Sequence, residues 1–284
     1  MEETMNHRCQ TATEIAQFHA HLIAEEKSAA TIEKYLRDAS AFALWLKSET
    51  ITKESVLAYK KHLLQSYAPR SVNSMLAALN SFLAFLGCFD CRVKAVKLQQ
   101  QVFRPEEKEL TQAEYFRLCK AAEQKRDTRL TLILQTICAT GIRISELRYI
   151  TVEAALRGEA IVSCKGKTRS VFLVKRLRKK LLRWATEQKI AHGMLFVTRS
   201  GTPLSRTTVW RAMKALCNEA KVNPKKVFPH NLRHLFAQIF YAMQKDIAKL
   251  ADLLGHSSIN TTRIYILSAK GEHRRCLERM HLIL

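Results

Sequence analysis

Four short stretches in the C-terminal two-thirds of the chain combine titratable residues with tight local geometry. In TGIRISELRYI, Gly141 precedes a helix, Arg143 sits in its first turn, and Glu146 follows three residues on, within reach of the guanidinium. In CKGKTR, Lys165 carries a flexible ammonium on the turn between two strand-like runs. In PHNLRH, Pro229 starts a helix, and His230 and Arg233, three apart, share one face. In LLGHSSINTTRIYIL, Gly255 suits the positive φ of a helix C-cap and Ser257 or Ser258 caps the next helix. His256 stands on that turn, and Tyr265 lies nine residues beyond it.

Taken singly, each has an ordinary explanation. An arginine near a helix start is usually solvated, a turn lysine serves solubility, and a tyrosine in an amphipathic helix is most often core. Taken together, they are the set that transesterification at a phosphodiester requires. Paired arginines grip phosphate oxygens with planar forks, and lysine or histidine supplies a proton to the leaving oxygen. A phenol forms a covalent intermediate that stores the bond energy. Cations that stabilise the shifting charge leave no step that needs a metal.

The charge balance points the same way. The chain of 284 residues has 47 Lys+Arg against 25 Asp+Glu, a formal net charge of +22. Residues 1–100 hold 12 basic and 10 acidic side chains; residues 101–284 hold 35 and 15. A field concentrated in one part of the chain attracts polyanions, of which nucleic acid is the commonest. An apolar fraction of 47% excludes a disordered chain. No stretch approaches the roughly 18 apolar residues of a membrane span. The opening MEETMNHRCQ lacks the order of a secretory signal, and eight scattered cysteines suit reduced thiols in a cytoplasm. Cys88 and Cys91 form a lone CxxC with no second ligand pair nearby, so no metal site is expected.

The elements that must position these residues are mostly helical. TIEKYLRDASAFALWL spaces Ile32, Tyr35, Leu36, Ala39, Phe42, Ala43 and Leu46 as one apolar stripe. SVNSMLAALNSFLAFLG repeats the pattern with Ser71 as its cap and Gly87 as its stop, ESVLAYKKHLL is a shorter helix, and residues 12–25 make a fourth. A four-helix domain over residues 8–95 follows, then a polar linker over 96–108 with Pro105, then a domain over 109–284 that Thr111 opens as a cap. That larger part is helical with one β insert, Ala160–Cys164 and Ser170–Val174 joined across KGKT. MLFV is read as a brief further strand and RTTVWRAMKALCNEA as one helix behind Pro203 and Ser205.

TGIRISEL, the hairpin lysine, PHNLRH and LLGHSSINTTRIY, in this order, resemble the tyrosine recombinase (phage-integrase) family over about residues 10–270. The N-terminal SAATIEKYLRDASAFALWL is similar to that family's helical core-binding domain. The fold the resemblance implies is mainly α with a small β-sheet insert: a SAM-like four-helix core-binding domain and an α+β catalytic domain ending in a tail helix. It implies Arg143 and Arg233 as the phosphate clamp, Lys165 as the acid for the 5′ oxygen and His230 in acid/base transfer. His256 would hydrogen-bond the scissile phosphate, Tyr265 would be the nucleophile, and Glu146 would buttress the site. Lys167 is the less favoured lysine, and His234 is assigned a structural hydrogen bond.

The implied partner is double-stranded DNA with paired inverted-repeat core sites, bound by a homotetramer, with accessory proteins possible and no cofactor. Arg70, Ser71 and Asn73, at the start of the helix that runs to Leu86, are the candidates for DNA contact in the small domain. The tail GEHRRCLERMHLIL carries an apolar stripe suited to packing on its own subunit or on a neighbour. The architecture is similar to compact Xer or transposon-encoded recombinases, working in a prokaryotic cytoplasm on the nucleoid. Two other readings share parts of this set: a type IB-like topoisomerase or nicking enzyme, and a non-catalytic DNA-binding regulator.

Overall fold

The computed structural model describes residues 11–47, 49–98, 109–164, 167–198 and 200–265. The chain divides into two compact units, Met1–Gln100 and Gln101–Leu284.

The first unit is a bundle of α1 (Thr11–Ala24), α2 (Ala29–Leu46), α3 (Lys53–Ser66) and α4 (Pro69–Phe85). Side-chain caps start two of them: Ser28 accepts from the Thr31 amide, and Thr52 and Ser55 form a reciprocal capping box. Helix α4 starts two residues before Ser71, because Pro69 fills the first-turn position where a missing N–H costs nothing. Phe18, Phe42, Val56, Leu76 and Phe82, one or more from each helix, are fully buried at the centre. Each such side chain contributes about 1.5–3 kcal/mol of burial free energy.

Beyond a short 3₁₀ turn at Phe89–Cys91, an extended segment is tied back onto this bundle from two sides. Asn80 accepts from the Val93 amide and donates to its carbonyl at 2.9 and 2.8 Å; Asn73 does the same to Val96 at 2.7 and 2.9 Å. Seven helical residues advance about 10.5 Å, and three extended residues advance about 10 Å, so the two pairs match. From α3, Lys53 donates to the carbonyls of Asp90 and Arg92, and Lys60 to that of Lys94.

The second unit is built around α6 (Thr128–Thr140), where Leu130 to Leu134, Thr136, Ile137 and Thr140 are all buried. A helix apolar nearly all round belongs in a core. Around it lie α5 (Gln112–Gln124), a 3₁₀ helix (Ile144–Tyr149), α7 (Val152–Arg157), α8 (Lys175–Glu187), α9 (Arg206–Lys214), α10 (Cys217–Ala220), α11 (Pro229–Gln244), α12 (Ile247–Leu254) and α13 (Ile259–Arg263). Thr111 and Glu114 form the capping box that opens α5.

Among the described residues the only sheet is an antiparallel pair, β1 (Glu159–Cys164) and β2 (Lys167–Phe172), in register from Glu159↔Phe172 to Cys164↔Lys167. Strand β2 therefore begins three residues before the expected Ser170. The four polar residues KGKT read as one turn, yet the pairing closes at Lys167. MLFV forms only isolated bridges, Thr151↔Met194 and Val197↔Pro203. The stretch read as one helix behind Ser205 is broken between α9 and α10, where Lys125 of α5 donates to the Ala215 carbonyl at 3.0 Å. No described helix is long and apolar enough to cross a membrane.

Candidate active site

Two helix ends define the centre of the second unit. Gly141 caps α6 at φ +65° and Gly255 caps α12 at φ +64°, backbone conformations that suit glycine. Neither has room for a side chain: a Cβ on Gly141 would fall within 3.0 Å of Phe236 and Leu254, and one on Gly255 within 3.0 Å of the Arg169 side chain. Helix C-termini leave carbonyls without intrahelical donors and gather negative dipole. Both ends meet Arg233 of α11. Its Nη1 donates to the Gly141 carbonyl at 2.6 Å and its Nη2 to the Leu254 carbonyl at 2.7 Å.

These charge-assisted bonds hold a guanidinium that is only 1% exposed. Burial, then the neighbouring Arg143, pull Arg233 down to about 10, so it remains a cation at neutral pH. Its Nε is buried and has no hydrogen-bond partner among the described residues.

A second cationic cluster adjoins it. Arg143 stands just ahead of the 3₁₀ helix rather than in the first turn of an α-helix. Its amide donates to Glu146 Oε2 at 2.7 Å and its Nη1 to Glu146 Oε1 at 2.9 Å. The buried Glu146 also accepts from Arg169 Nη2 at 2.6 Å, and Arg169 Nη1 reaches the Leu253 carbonyl at 3.2 Å. Arg169 thus joins β2, the Arg143 segment and the end of α12. Three guanidiniums against one carboxylate leave these four groups with a net charge of +2.

His256, one residue past Gly255, contacts Arg233 Nη2 through Nε2 and Thr262 Oγ1 through Nδ1, both at 2.8 Å. A guanidinium has no acceptor, so Arg233 donates and Nε2 carries no proton. The neutral ring therefore holds its proton on Nδ1 and donates it to Thr262, which is fully buried. Burial, followed by the fields of Arg233, Arg143, Arg169 and His230, pushes His256 down to about 4.

Tyr265 lies two residues past α13, 6% exposed, and its hydroxyl is 3.2 Å from Nε2 of the exposed His230. Its ring stacks on His234 with centroids 4.0 Å apart and planes 26° off parallel. His256 lies 5.2 Å away, centre to centre, and the Arg233 guanidinium carbon is 6.0 Å from the ring centroid. The phenol is thus seated in its own chain's site, beside an imidazole able to take its proton and cations able to hold an oxyanion.

Five of the candidate residues, Arg143, His230, Arg233, His256 and Tyr265, meet here with Glu146. Lys165 lies outside the described residues, as do the Lys167 side chain and the tail from residue 266. Arg70 and Ser71 are exposed at the start of α4 in the other unit, whereas the Asn73 amide is committed to Val96. Sequence reasoning missed Arg169 and Thr262. The signal for Arg169 is strand alternation: it shares a face with the buried Val171, and an inward-facing charge must find a partner. Thr262 carries no comparable signal, since a threonine in a short helix has many uses. The reading of His234 as a hydrogen-bonding residue overlooked its stack on Tyr265.

A model of the phage integrase family matches residues 108–272, and a model of the phage integrase N-terminal SAM-like domain matches residues 15–87. The chain is 30% identical to the tyrosine recombinase XerC of Erythrobacter litoralis, over 88% of this chain and 86% of that one. It is 29% identical to the tyrosine recombinase XerA of Pyrococcus horikoshii, over 95% and 94%. Among solved structures, a XerA recombinase superposes with a TM-score of 0.54 at 25% identity, over 96% of this chain and 99% of that one. A lambda integrase tetramer bound to a Holliday junction superposes at 0.71 with 18% identity, over 89% and 76%, a likeness of fold alone.

Proposed function

The chain belongs to the phage integrase family of tyrosine recombinases, and from that premise we propose that it cuts and rejoins DNA through a covalent 3′-phosphotyrosine at Tyr265. The observation that carries this reading is the Tyr265 hydroxyl, 3.2 Å from His230 Nε2 and beside the buried Arg233.

In the first step the phenol oxygen attacks phosphorus and its proton passes to His230. The bond from phosphorus to the 5′ oxygen breaks, and that oxygen takes a proton from Lys165. Arg143 and Arg233 hold the non-bridging oxygens, where the shift of charge favours fixed guanidiniums over water. His256 is assigned a hydrogen bond to the same phosphate, which requires its ring proton to move from Nδ1 to Nε2 as Arg233 turns from that nitrogen to the phosphate oxygens. In the second step a 5′ hydroxyl from another strand attacks the phosphotyrosine, Tyr265 recovers its proton, and the strand is joined without any outside energy source. Two such exchanges pass through a Holliday junction, on four protomers and two DNA sites with inverted-repeat arms. The exposed Arg70 and Ser71 of α4 contact the same DNA. Where the two sites lie decides among integration, excision and resolution, and the work is done on the prokaryotic nucleoid.

Trapping tests the reading. Purified protein and its Tyr265→Phe variant are incubated with sheared genomic DNA, and denaturation-resistant adducts are sequenced. The expected result is adducts at one short inverted repeat with the wild type and none with the variant, which still binds DNA. Scattered adducts without a preferred site would instead indicate a topoisomerase, and adducts that survive in Tyr265→Phe would remove Tyr265 as the nucleophile.

A further inference from the structure

We propose that His234 is the positioning residue for the nucleophile: its ring forms the seat that keeps Tyr265 aimed at His230. The proposal deepens the recombinase reading and rests on it. His230 and His234 are four residues apart on α11, so they rise from the same face of the helix. They divide the phenol between them. His230 meets the hydroxyl at 3.2 Å, and its ring stands edge-on to Tyr265 with centroids 5.3 Å apart. His234 lies flat against the phenol at 4.0 Å and perpendicular to His230 at 4.8 Å.

A hydrogen bond to the hydroxyl fixes one atom of a side chain that turns about two torsions. A ring laid against its face removes the remaining freedom. His234 is itself 5% exposed, near the start of a helix that packs on α6, so the seat is rigid. Tyr265 is different. It follows the five-residue helix α13, which by itself is too short to be stable in water. The nucleophile therefore sits on a weak element and takes its placement from a strong one.

An aromatic stack of this kind changes an equilibrium by about threefold to tenfold. His234→Leu should thus lower the rate of adduct formation by about tenfold at saturating DNA, with DNA affinity unchanged. His234→Phe, which restores a flat ring but no imidazole nitrogen, should recover most of that loss. If Phe and Leu are equally impaired, the ring face is not what matters and the proposal is overturned.

A second readout needs no DNA. Tyrosine nitration of the free protein, followed by peptide mapping, reports how well Tyr265 is shielded. It should be slow in the wild type and in His234→Phe, and clearly faster in His234→Leu. Equal nitration in all three overturns the seat. Nitration that follows the expected order, in a protein whose wild type forms no adduct on any DNA, would leave the seat standing and sink the recombinase reading instead. Melting curves show whether each variant is folded; if His234→Leu is not, His234→Met takes its place.

Discussion

At the scale of single residues, the site is a balance of charge and proton position. His256 is held neutral by burial and by three arginines, and this makes stability depend on pH with a definite sign. An unfolded imidazole titrates near 6.5, whereas the folded one titrates at about 4. Between those values the unfolded chain binds a proton that the folded chain does not, so stability falls as pH drops from 6.5 toward 4. Denaturant midpoints measured across that range should decline less steeply in His256→Gln than in the wild type; parallel curves would show that His256 does not carry the effect. The motifs holding Arg143, His230, Arg233, His256 and Tyr265 were legible because each sits beside a local signal, a glycine break or a proline start. Thr262 and the stack of His234 were not, because their partners are 6 and 31 residues away in the chain and only packing selects them, and Arg169 was missed because the expected strand began one residue after it.

At the scale of elements, the site is assembled from ends. Helices α6 and α12 finish on glycines whose preceding carbonyls and caps converge on one guanidinium, and β2 sends Arg169 into the gap beside Gly255. Gly255→Ala therefore does two things. It forces a side chain into the left-handed region, at about 1–2 kcal/mol, and it displaces Arg169 from Glu146. The variant should melt several degrees lower and form adducts more slowly than its loss of stability alone explains; unchanged adduct rates would mean that the Arg169 brace does not support the chemistry. Helix positions were readable from apolar spacing, because stripes such as Phe42–Leu46 and Leu76–Leu83 are visible in one dimension. The start of α4 and the start of β2 were not. Ser71 and KGKT carry good capping and turn chemistry, but the structure starts α4 at Pro69, ahead of Ser71, and closes the strand pairing inside KGKT at Lys167.

At the scale of the whole molecule, the formal charge of +22 is lodged mostly in residues 101–284, the part that holds the site. Affinity for DNA should accordingly be dominated by counterion release. If about six or more phosphates are neutralised, binding should weaken by about 10³-fold or more between about 50 and 200 mM salt. Filter binding or fluorescence anisotropy with the Tyr265→Phe variant would measure the slope without cleavage, and a shallow slope would mean that the positive charge is not spent on phosphates. The way the chain leaves its first unit is governed by something other than charge. The paired amides of Asn73 and Asn80 against Val93 and Val96 act as a vernier, two scales of different pitch that coincide at a single count. Point substitutions elsewhere than at Asn73 and Asn80 leave the coincidence intact, because the other partners are backbone groups. One residue inserted or deleted in either scale breaks it, so across related chains this segment should keep its two asparagines and its length while the residues between them drift in composition.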